Sequence, residues 1–426
     1  MQFNVFKNTV LLFVLVLISC ASKSKNNLVE NHEVLNQIPN DTLVSKKQEI
    51  LVGANQTEVY LPLLKGKRIG IVANQTSVIF TDNGYTHLID SLLSLKMNIK
   101  NVLVPEHGFR GTADAGEVVK DGIDIKTGLP IVSLYGKSKK PKFGRLSEAE
   151  NLEYDIETGD SQIDLIMFDL QDVGARFYTY ISTLHYVMEA CAEQNIPMLL
   201  LDRPNPNGHY IDGPILEPKH KSFVGMHPVP VIHGMTIGEY AQMINGEGWL
   251  ANGIKCELTV IPIKNYNHQT SYNLPIKPSP NLPNAKAINL YPSLCFFEGT
   301  NVSVGRGTDK QFQIYGSPFL PEGKFSFTPH PNAGSKYPKH DGKVCYGNDL
   351  SQAENLNSLH LDYLIEAYAS TENKLDFFIP FFTKLAGTTA LEEQIKNDFT
   401  LKQIKASWAQ GLETYDIMRK AYLIYD

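Results

Sequence analysis

Cysteine is scarce in this chain, with five residues among 426, and none of them forms a C-x-x-C pair or a Cys/His cluster at zinc spacing. That scarcity excludes a disulfide scaffold and a structural zinc site. The glycine patterns of nucleotide sites are missing too, because no G-x-G-x-x-G follows the first predicted strand and no G-x-x-x-x-G-K-[ST] occurs. No G-x-S-x-G is present, which disfavours an α/β-hydrolase. The sequence therefore predicts neither a metal nor a cofactor.

Positive charge is also in short supply. The formal net charge is −6, and no basic stripe with interleaved aromatic residues occurs. A nucleic-acid partner is therefore not expected. The longest apolar run, residues 10–18, is too short to cross a bilayer as a helix.

The N-terminus has the pattern of an export signal. Lys7 precedes the apolar run, which ends in Leu17-Ile18-Ser19-Cys20 and resembles a bacterial lipoprotein signal. We expect residues 1–19 to be removed, Cys20 to be lipidated and residues 20–49 to form a flexible, polar tether. The alternative is an ordinary secretory signal. Because Ala21 follows the cysteine, the expected location is the cell envelope, at the outer membrane facing the periplasm.

The rest of the chain, about 375 residues, exceeds what one hydrophobic core usually serves, so two domains are expected. Apolar strand patterns alternate with helix patterns, and Thr236–Glu239 fits a helix capping box. This alternation predicts an α/β fold with a mostly parallel sheet over residues 50–270 and a smaller α+β domain over 271–426. The predicted strands are 68–73, 102–104, 130–134, 163–168 and 198–201; the predicted helices are 87–95, 182–193, 361–369 and 391–412.

The loop after the strand at 102–104 concentrates reactive side chains. Pro105 ends the strand, and Glu106, His107 and Arg110 follow, with Gly108 and Gly111 on the two sides of Phe109-Arg110. In a parallel sheet, ligands bind beyond the carboxyl ends of the strands, where this loop would lie. Glu106 is the best candidate for a proton-donating acid. The alternative is a surface turn with solvated charges.

Polar residues also cluster after the predicted strands 163–168 and 198–201 and within a Gly-rich stretch over residues 299–316. Their mixture of acids, amides, tyrosines and arginines suits a polyhydroxylated or carboxylated ligand, although Asp172 could equally cap a helix and pair with Arg176. Two carboxylates in such a cleft are typical of glycosidic hydrolysis. The candidate residues are Asp169, Gln171, Asp172, Arg176 and Tyr178, then Asp202, Arg203 and Asn205, and finally Arg306.

Eleven motifs occur in one order from about residue 50 to the C-terminus: GIVANQTSV, VPEHGFRG, TGLPIVSLYG, FDLQDVGARFYTYISTL, LDRPNPNG, GPIL, SFVG, HGMTIGEYA, PSPNLP, YPSLCFFEGTN and GRGTD. In these motifs the chain resembles the exo-β-N-acetylmuramidase family. The resemblance implies a Rossmann-like domain joined to a smaller one, with the active site between them. It also implies release of non-reducing terminal N-acetylmuramic acid from peptidoglycan fragments, without metal or nucleotide.

By this resemblance, Glu106 is the catalytic acid, with His107 beside it. The second catalytic group stays open among Asp169, Asp172, Asp202 and the acetamide of the substrate, and Asp172 is the catalytic candidate that we favour. The implied substrate contacts are Asn74, Arg110, Asp169, Gln171, Arg176, Tyr178, Asp202, Arg203, Asn205 and Arg306. The lactyl carboxylate of muramic acid needs a cation, for which Arg176 or Arg306 is favoured over Arg110 and Arg203.

Two other readings of the same residues stay open. One is a non-catalytic lipoprotein that binds cell-wall glycans in this cleft. The other is a β-N-acetylglucosaminidase of the same fold, which differs only in the sugar accepted.

Overall fold

The computed structural model describes residues 49–111, 113–114, 116–136, 138–142 and 163–426. The predicted signal, Cys20 and the tether up to residue 48 lie outside these ranges. Within them, no helix has both the length and the apolar composition that crossing a bilayer requires.

The strands of the described residues form three sheets. They are β1 (Arg68–Ala73), β2 (Val78–Thr81), β3 (Gly84–His87), β4 (Asn98–Val104), β5 (Gly122–Ile123), β6 (Pro130–Ser133), β7 (Leu165–Asp169), β8 (Met198–Leu201), β9 (Leu258–Ile261), β10 (Ile314–Ser317), β11 (Ser326–Phe327) and β12 (Cys345–Asp349). The main sheet has the order β5-β6-β4-β1-β7-β8-β9, and only its edge strand β5 runs antiparallel to its neighbour. Strands β2 and β3 form a hairpin, and β10-β12-β11 form a small antiparallel sheet.

The α-helices of the described residues lie before, between and after these strands. They are α1 (Thr57–Leu64), α2 (Leu88–Ser94), α3 (Tyr180–Gln194), α4 (Ile237–Gly246), α5 (Ala285–Leu294), α6 (Asp362–Ser370), α7 (Phe381–Ala386), α8 (Ala390–Lys396) and α9 (Leu401–Lys420).

The main sheet is buried on both faces, which explains its nearly continuous apolar strands. In β7, Ile166 and Phe168 point into the core on the α3 and α4 side. Leu165 and Met167, which alternate with them, pack on the side of α1 and α2. The sheet is therefore the middle layer of three, as the βα alternation predicted.

The C-terminal segments share a core with the main sheet. Phe296, Phe377 and Trp408 belong to the same buried cluster as Phe168 and the apolar face of α3. The predicted fold class, a mostly parallel sheet with a smaller α+β C-terminal part, is confirmed. The boundary between residues 270 and 271 stays a prediction.

Individual elements agree with the sequence to different degrees. Strands β1 and β8 have the predicted bounds, and the capping box at Thr236 and Glu239 is formed by both of its hydrogen bonds. The single helix predicted over 391–412 is wrong, because two helices, α8 and α9, lie there. Asp398 interrupts the helical path with a φ of 56°, and Thr400 with Gln403 forms a second capping box that starts α9.

Candidate active site

One cavity of about 710 Å³ opens at the carboxyl edge of the main sheet. Its walls come from the loops after β4 and β6, from the start of α3, and from C-terminal segments around residues 279–312 and 334–337. Its charged lining residues are four carboxylates and two cations: Glu106, Asp114, Glu117 and Glu298, with Arg306 and Lys336. An acid-rich cavity of this size suits a polar ligand the size of one or two sugars.

Glu106 is held by donors on both carboxylate oxygens. The Gly116 backbone N–H donates to Oε1 at 2.7 Å, and the Thr179 hydroxyl donates to Oε2 at 2.7 Å. Thr179 occupies the N-cap position of α3, yet its side chain makes no capping bond there. Burial, and then the charge of Glu106, raises the pKa of Tyr135, which also lines the cavity. The carboxylate is therefore fixed in position at the cavity wall.

His107 supports the neighbouring wall in an unusual backbone conformation. Its φ is 72°, a left-handed value that costs free energy for a residue with a side chain. The ring Nδ1 lies 2.9 Å from the Ala113 carbonyl oxygen, so Nδ1 carries the proton and Nε2 is the acceptor. Burial lowers the pKa of His107 despite the opposing effect of Glu106. A neutral imidazole thus lies beside the acid.

Glu298 and Arg306 form an ion pair. The sequence predicted Arg306 as a site residue but did not predict Glu298 as its partner. Arg306 Nε donates to Glu298 Oε1 at 2.5 Å, and Nη2 donates to Oε2 at 3.1 Å. Burial raises the pKa of Glu298, but Arg306 outweighs it and leaves the pKa below its usual value. Arg306 Nη1 has no hydrogen-bond partner among the described residues. Both side chains are therefore charged, and one edge of the guanidinium is left for a ligand.

Glu298 was missed as a site residue, although a signal for it was present in the sequence. It follows the aromatic run Cys295-Phe296-Phe297 and directly precedes Gly299, in the motif before the one that carries Arg306. A short 3₁₀ turn over Cys295–Gly299 orients it. Gly305 and Gly307 flank Arg306 with φ values of 77° and 80°, a backbone that residues with a side chain adopt only with strain.

Four of the predicted site residues line the cavity: Glu106, His107, Tyr178 and Arg306. The Tyr178 hydroxyl donates to the Pro278 carbonyl at 3.0 Å, so its ring forms part of a braced wall. Their assignment to catalysis or substrate contact stays a prediction, but the structure brings them together.

Asp169, Arg203 and Asp202 lie outside the cavity lining and are buried in the sheet edge. Arg203 donates hydrogen bonds to both carboxylate oxygens of Asp169, at 2.6 and 2.8 Å. Asp202 accepts hydrogen bonds from the hydroxyls of Thr236 and Tyr425, each at 2.7 Å. Burial raises the pKa of Asp202 to about 6. These three residues link the ends of β7 and β8 to each other, to the start of α4 and to the C-terminal residues.

Asn74, Gln171 and Asn205 also lie outside the cavity lining, and their side chains bond to neighbouring protein groups. Asn74 donates to the Tyr180 hydroxyl at 2.7 Å, and Gln171 donates to two backbone carbonyls. Asn205 donates to the Met235 carbonyl at 2.8 Å. Their amides stabilise the loops instead of facing a ligand.

Asp172 and Arg110 are placed away from the cavity as well. Asp172 accepts from the Gly174 N–H at 2.7 Å and lies 3.6 Å from the His233 ring. The predicted alternative, a helix cap at Asp172, is wrong, because α3 begins only at Tyr180, after the N-cap residue Thr179. Arg110 pairs with Asp124 at 2.9 Å and covers the ring of Phe109. The geometry favours structural roles for both.

Arg176 is fully buried and lies in the core. Its Nη1 donates to the carbonyls of Pro214 and Val229, and its Nη2 to those of Leu385 and Ala386, at 2.7 to 2.9 Å. Burial lowers the pKa of Arg176 to about 9. The predicted i, i+4 pair with Asp172 is not formed. Arg176 instead ties α7 to the segment before α4.

No group of three or more His, Cys, Asp or Glu side chains in the described ranges is arranged to hold a metal ion.

Two family models match the chain in succession. The N-terminal model of the exo-beta-N-acetylmuramidase NamZ matches residues 69–286, and the C-terminal model matches residues 289–425. The peptidoglycan beta-N-acetylmuramidase NamZ of Bacillus subtilis is 38% identical over 395 residues, which cover 86% of this chain and 89% of that protein.

Two solved structures from Bacteroides fragilis, both of DUF1343 family proteins, have the same fold. One is 45% identical with a TM-score of 0.78, covering 89% of this chain and 99% of the other. The second is 24% identical with a TM-score of 0.69 and supports the fold alone.

Proposed function

Since this chain belongs to the exo-β-N-acetylmuramidase NamZ family and is thus a glycosidase, we propose that it releases non-reducing terminal N-acetylmuramic acid from peptidoglycan fragments. The observation that carries the proposal is Glu106, fixed on both oxygens at the wall of a cavity that also holds Glu298 and Arg306. Glycosidic hydrolysis needs a proton donor for the leaving oxygen. It also needs a second group on the opposite face of the sugar ring, which assists the attack on the anomeric carbon.

Glu106 is the proton donor in this mechanism. The bond between the anomeric carbon and the glycosidic oxygen breaks, and the oxygen takes the Glu106 proton. Water supplies the hydroxyl group of the released sugar, and its remaining proton restores the Glu106 acid. A threonine hydroxyl can donate to a carboxylate or accept from a carboxylic acid, so Thr179 accommodates both protonation states of Glu106. The neutral His107 ring can accept a hydrogen bond from a sugar hydroxyl through Nε2 without placing a second charge beside the acid.

Glu298 is the remaining inner carboxylate of the cavity, and Arg306 keeps it ionised. We assign to Glu298 the stabilisation of positive charge that develops on the sugar ring in the transition state. The open Nη1 of Arg306 is the group best placed to bind the lactyl carboxylate. The other two carboxylates of the lining, Asp114 and Glu117, hold Lys336 and so link two wall segments of the cavity.

The decisive experiment measures kcat for Glu106→Gln and for Asp172→Asn. The substrates are a chromogenic β-glycoside of N-acetylmuramic acid and the disaccharide of N-acetylmuramic acid and N-acetylglucosamine. General acid catalysis contributes about 10²–10⁴-fold, so the Gln variant should lose at least about a hundredfold in kcat on the disaccharide. Asp172→Asn, which is outside the lining, should keep most of the turnover. Circular dichroism should show both variants folded.

Two outcomes would overturn this assignment. Near-full activity of Glu106→Gln on the disaccharide would show that Glu106 is not the acid. A loss in Asp172→Asn that clearly exceeds the loss in Glu106→Gln would move the role to Asp172. An unmodified protein that binds the glycans but does not cleave them would favour the binding-protein alternative.

We also propose that Cys20 carries a lipid that anchors the protein in the cell envelope, at the outer membrane facing the periplasm. The support is the sequence Leu17-Ile18-Ser19-Cys20 after an apolar run, with Ala21 behind it. Because one acyl chain binds a membrane only marginally and several bind it firmly, a multiply acylated Cys20 would hold the protein there. Cys20→Ser should therefore appear in the soluble fraction; retention in the membrane fraction after a high-salt wash would contradict lipidation.

A further inference from the structure

Tyr337 stands at the edge of the cavity with its ring almost completely exposed, at 95% of the maximum. Its side chain makes no hydrogen bond and no ring contact with any described residue. Large aromatic side chains usually bury 150–250 Å², so a bare ring leaves much hydrophobic stabilisation unused. An aromatic ring left bare at the edge of a ligand cavity is therefore available to a ligand.

Hydrogen bonds hold the residues before and after Tyr337 in place. The Lys336 backbone N–H donates to Asp114 Oδ2 at 2.6 Å, and its ammonium group donates to Glu117 Oε1 at 2.7 Å. Two residues further on, Lys339 donates to the carbonyls of Phe297 and Val302, at 3.1 and 3.0 Å. The ring is thus exposed on a fixed support.

The upstream end of this segment is held as well. Asn281 donates through Nδ2 to the Gly334 carbonyl at 2.7 Å, and Asn332 and Ser335 exchange two backbone hydrogen bonds. A platform of this kind binds with little entropic cost, because only the side chain of Tyr337 is left to be ordered.

The same contacts link the platform to the acid. Asp114 and Glu117, which hold Lys336, bracket Gly116, whose N–H donates to Glu106 Oε1. Glu117 also accepts from the Asp114 N–H at 2.8 Å, which closes this short segment on itself. The bonded segment therefore has Glu106 at one end and the support of Tyr337 at the other.

We propose that Tyr337 forms the subsite for the leaving sugar, an aromatic platform that covers the apolar face of the N-acetylglucosamine ring next to the cleaved bond. This inference rests on the proposed function, because it names the partner on the other side of that bond. The chemistry is stacking of the C–H face of the pyranose ring on the face of the Tyr337 ring. Arg306 and Glu298 contact the muramic-acid residue, and Tyr337 contacts the leaving N-acetylglucosamine.

The test compares two substrates that both release an alcohol: the disaccharide of N-acetylmuramic acid and N-acetylglucosamine, and the methyl β-glycoside of N-acetylmuramic acid. Tyr337→Ala should lower kcat/KM on the disaccharide about tenfold more than on the methyl glycoside, or about 1.4 kcal/mol of selective binding. Tyr337→Phe keeps the ring and should restore the ratio of the unmodified protein. Leu375→Ala removes another side chain that is 95% exposed, but away from the cavity, and should change neither rate.

Equal losses on both substrates, or no loss on either, would overturn the subsite while leaving the hydrolase intact. Failure of Tyr337→Phe to restore the ratio would likewise exclude ring stacking. Cleavage of neither substrate by the unmodified protein would instead overturn the proposed function, and this inference with it. Because Tyr337 is so exposed, the alanine variant should fold normally.

Discussion

Arg306→Met should remove the preference of the protein for muramic acid over glucosamine. The two sugars differ by a lactyl ether with one carboxylate, and Arg306 is the cavity cation with an unbonded guanidinium edge in the described structure. Met keeps much of the side-chain length and removes the charge. The change therefore acts on the contact to the carboxylate more than on the shape of the wall.

The magnitude follows from how much of the guanidinium is free. Glu298 accepts one N–H from Nε and one from Nη2, and we assign the lactyl group one charge-assisted hydrogen bond, from Nη1. Such a bond contributes about 1.5–3 kcal/mol, or roughly 10- to 150-fold in kcat/KM. We expect the unmodified protein to prefer the muramic-acid glycoside by at least about tenfold. Arg306→Met should reduce that ratio to nearly one.

Removing Arg306 also strands the Glu298 carboxylate, which would lower the rate on both sugars for a different reason. The assay is therefore the ratio of kcat/KM values for matched aryl glycosides of the two sugars, in Arg306→Met and in the double variant with Glu298→Gln. Arg110→Met is the matched control, because Arg110 pairs with Asp124 outside the cavity lining. Equal kcat/KM values for the two sugars in the unmodified protein, or an unchanged ratio in Arg306→Met, would refute the reasoning.

Two further predictions concern stability. Arg176→Met should lower the free energy of unfolding by about 2–4 kcal/mol, because four buried carbonyls lose their donor while a buried charge is also removed; an unchanged urea midpoint would contradict this. Burial lowers the pKa of His185 from 6.5 to about 4, so the unfolded chain binds a proton at higher pH than the folded one. As the pH drops from about 6.5 to about 4, this group should therefore lower the free energy of unfolding by roughly 3 kcal/mol. In denaturation curves at pH 7, 6 and 5, the free energy of unfolding of His185→Asn should change less with pH than that of the unmodified protein.

The sheet could be predicted well from the sequence because its signal is local. Strands such as β1 and β8 are short, β-branched or leucine-rich runs, buried on both faces and bounded by polar turns. The break between α8 and α9 escaped the pattern because apolar spacing continues through Asp398. Only the left-handed backbone there and the capping box at Thr400 separate the two helices.

The site was predicted only in part. The rule that ligands bind at the carboxyl ends of parallel strands found Glu106 and His107. The same rule also selected Asp169 and Arg203, but these bond to each other across 34 positions, a pairing that no local pattern reveals. Conversely, Glu298 and Tyr337 reach the cavity from remote segments, so only tertiary structure places them there.

The core that the C-terminal segments share with the main sheet has a consequence for how substrates enter. The cavity walls come from both parts of the chain, yet Phe296 and Phe377 belong to the same apolar cluster as Phe168 behind them. Swinging one part away from the other would expose that cluster to water at about 25 cal/mol for every Å². Hinge closure around the substrate is therefore disfavoured, and selectivity must come from a preformed shape that admits the end of a glycan.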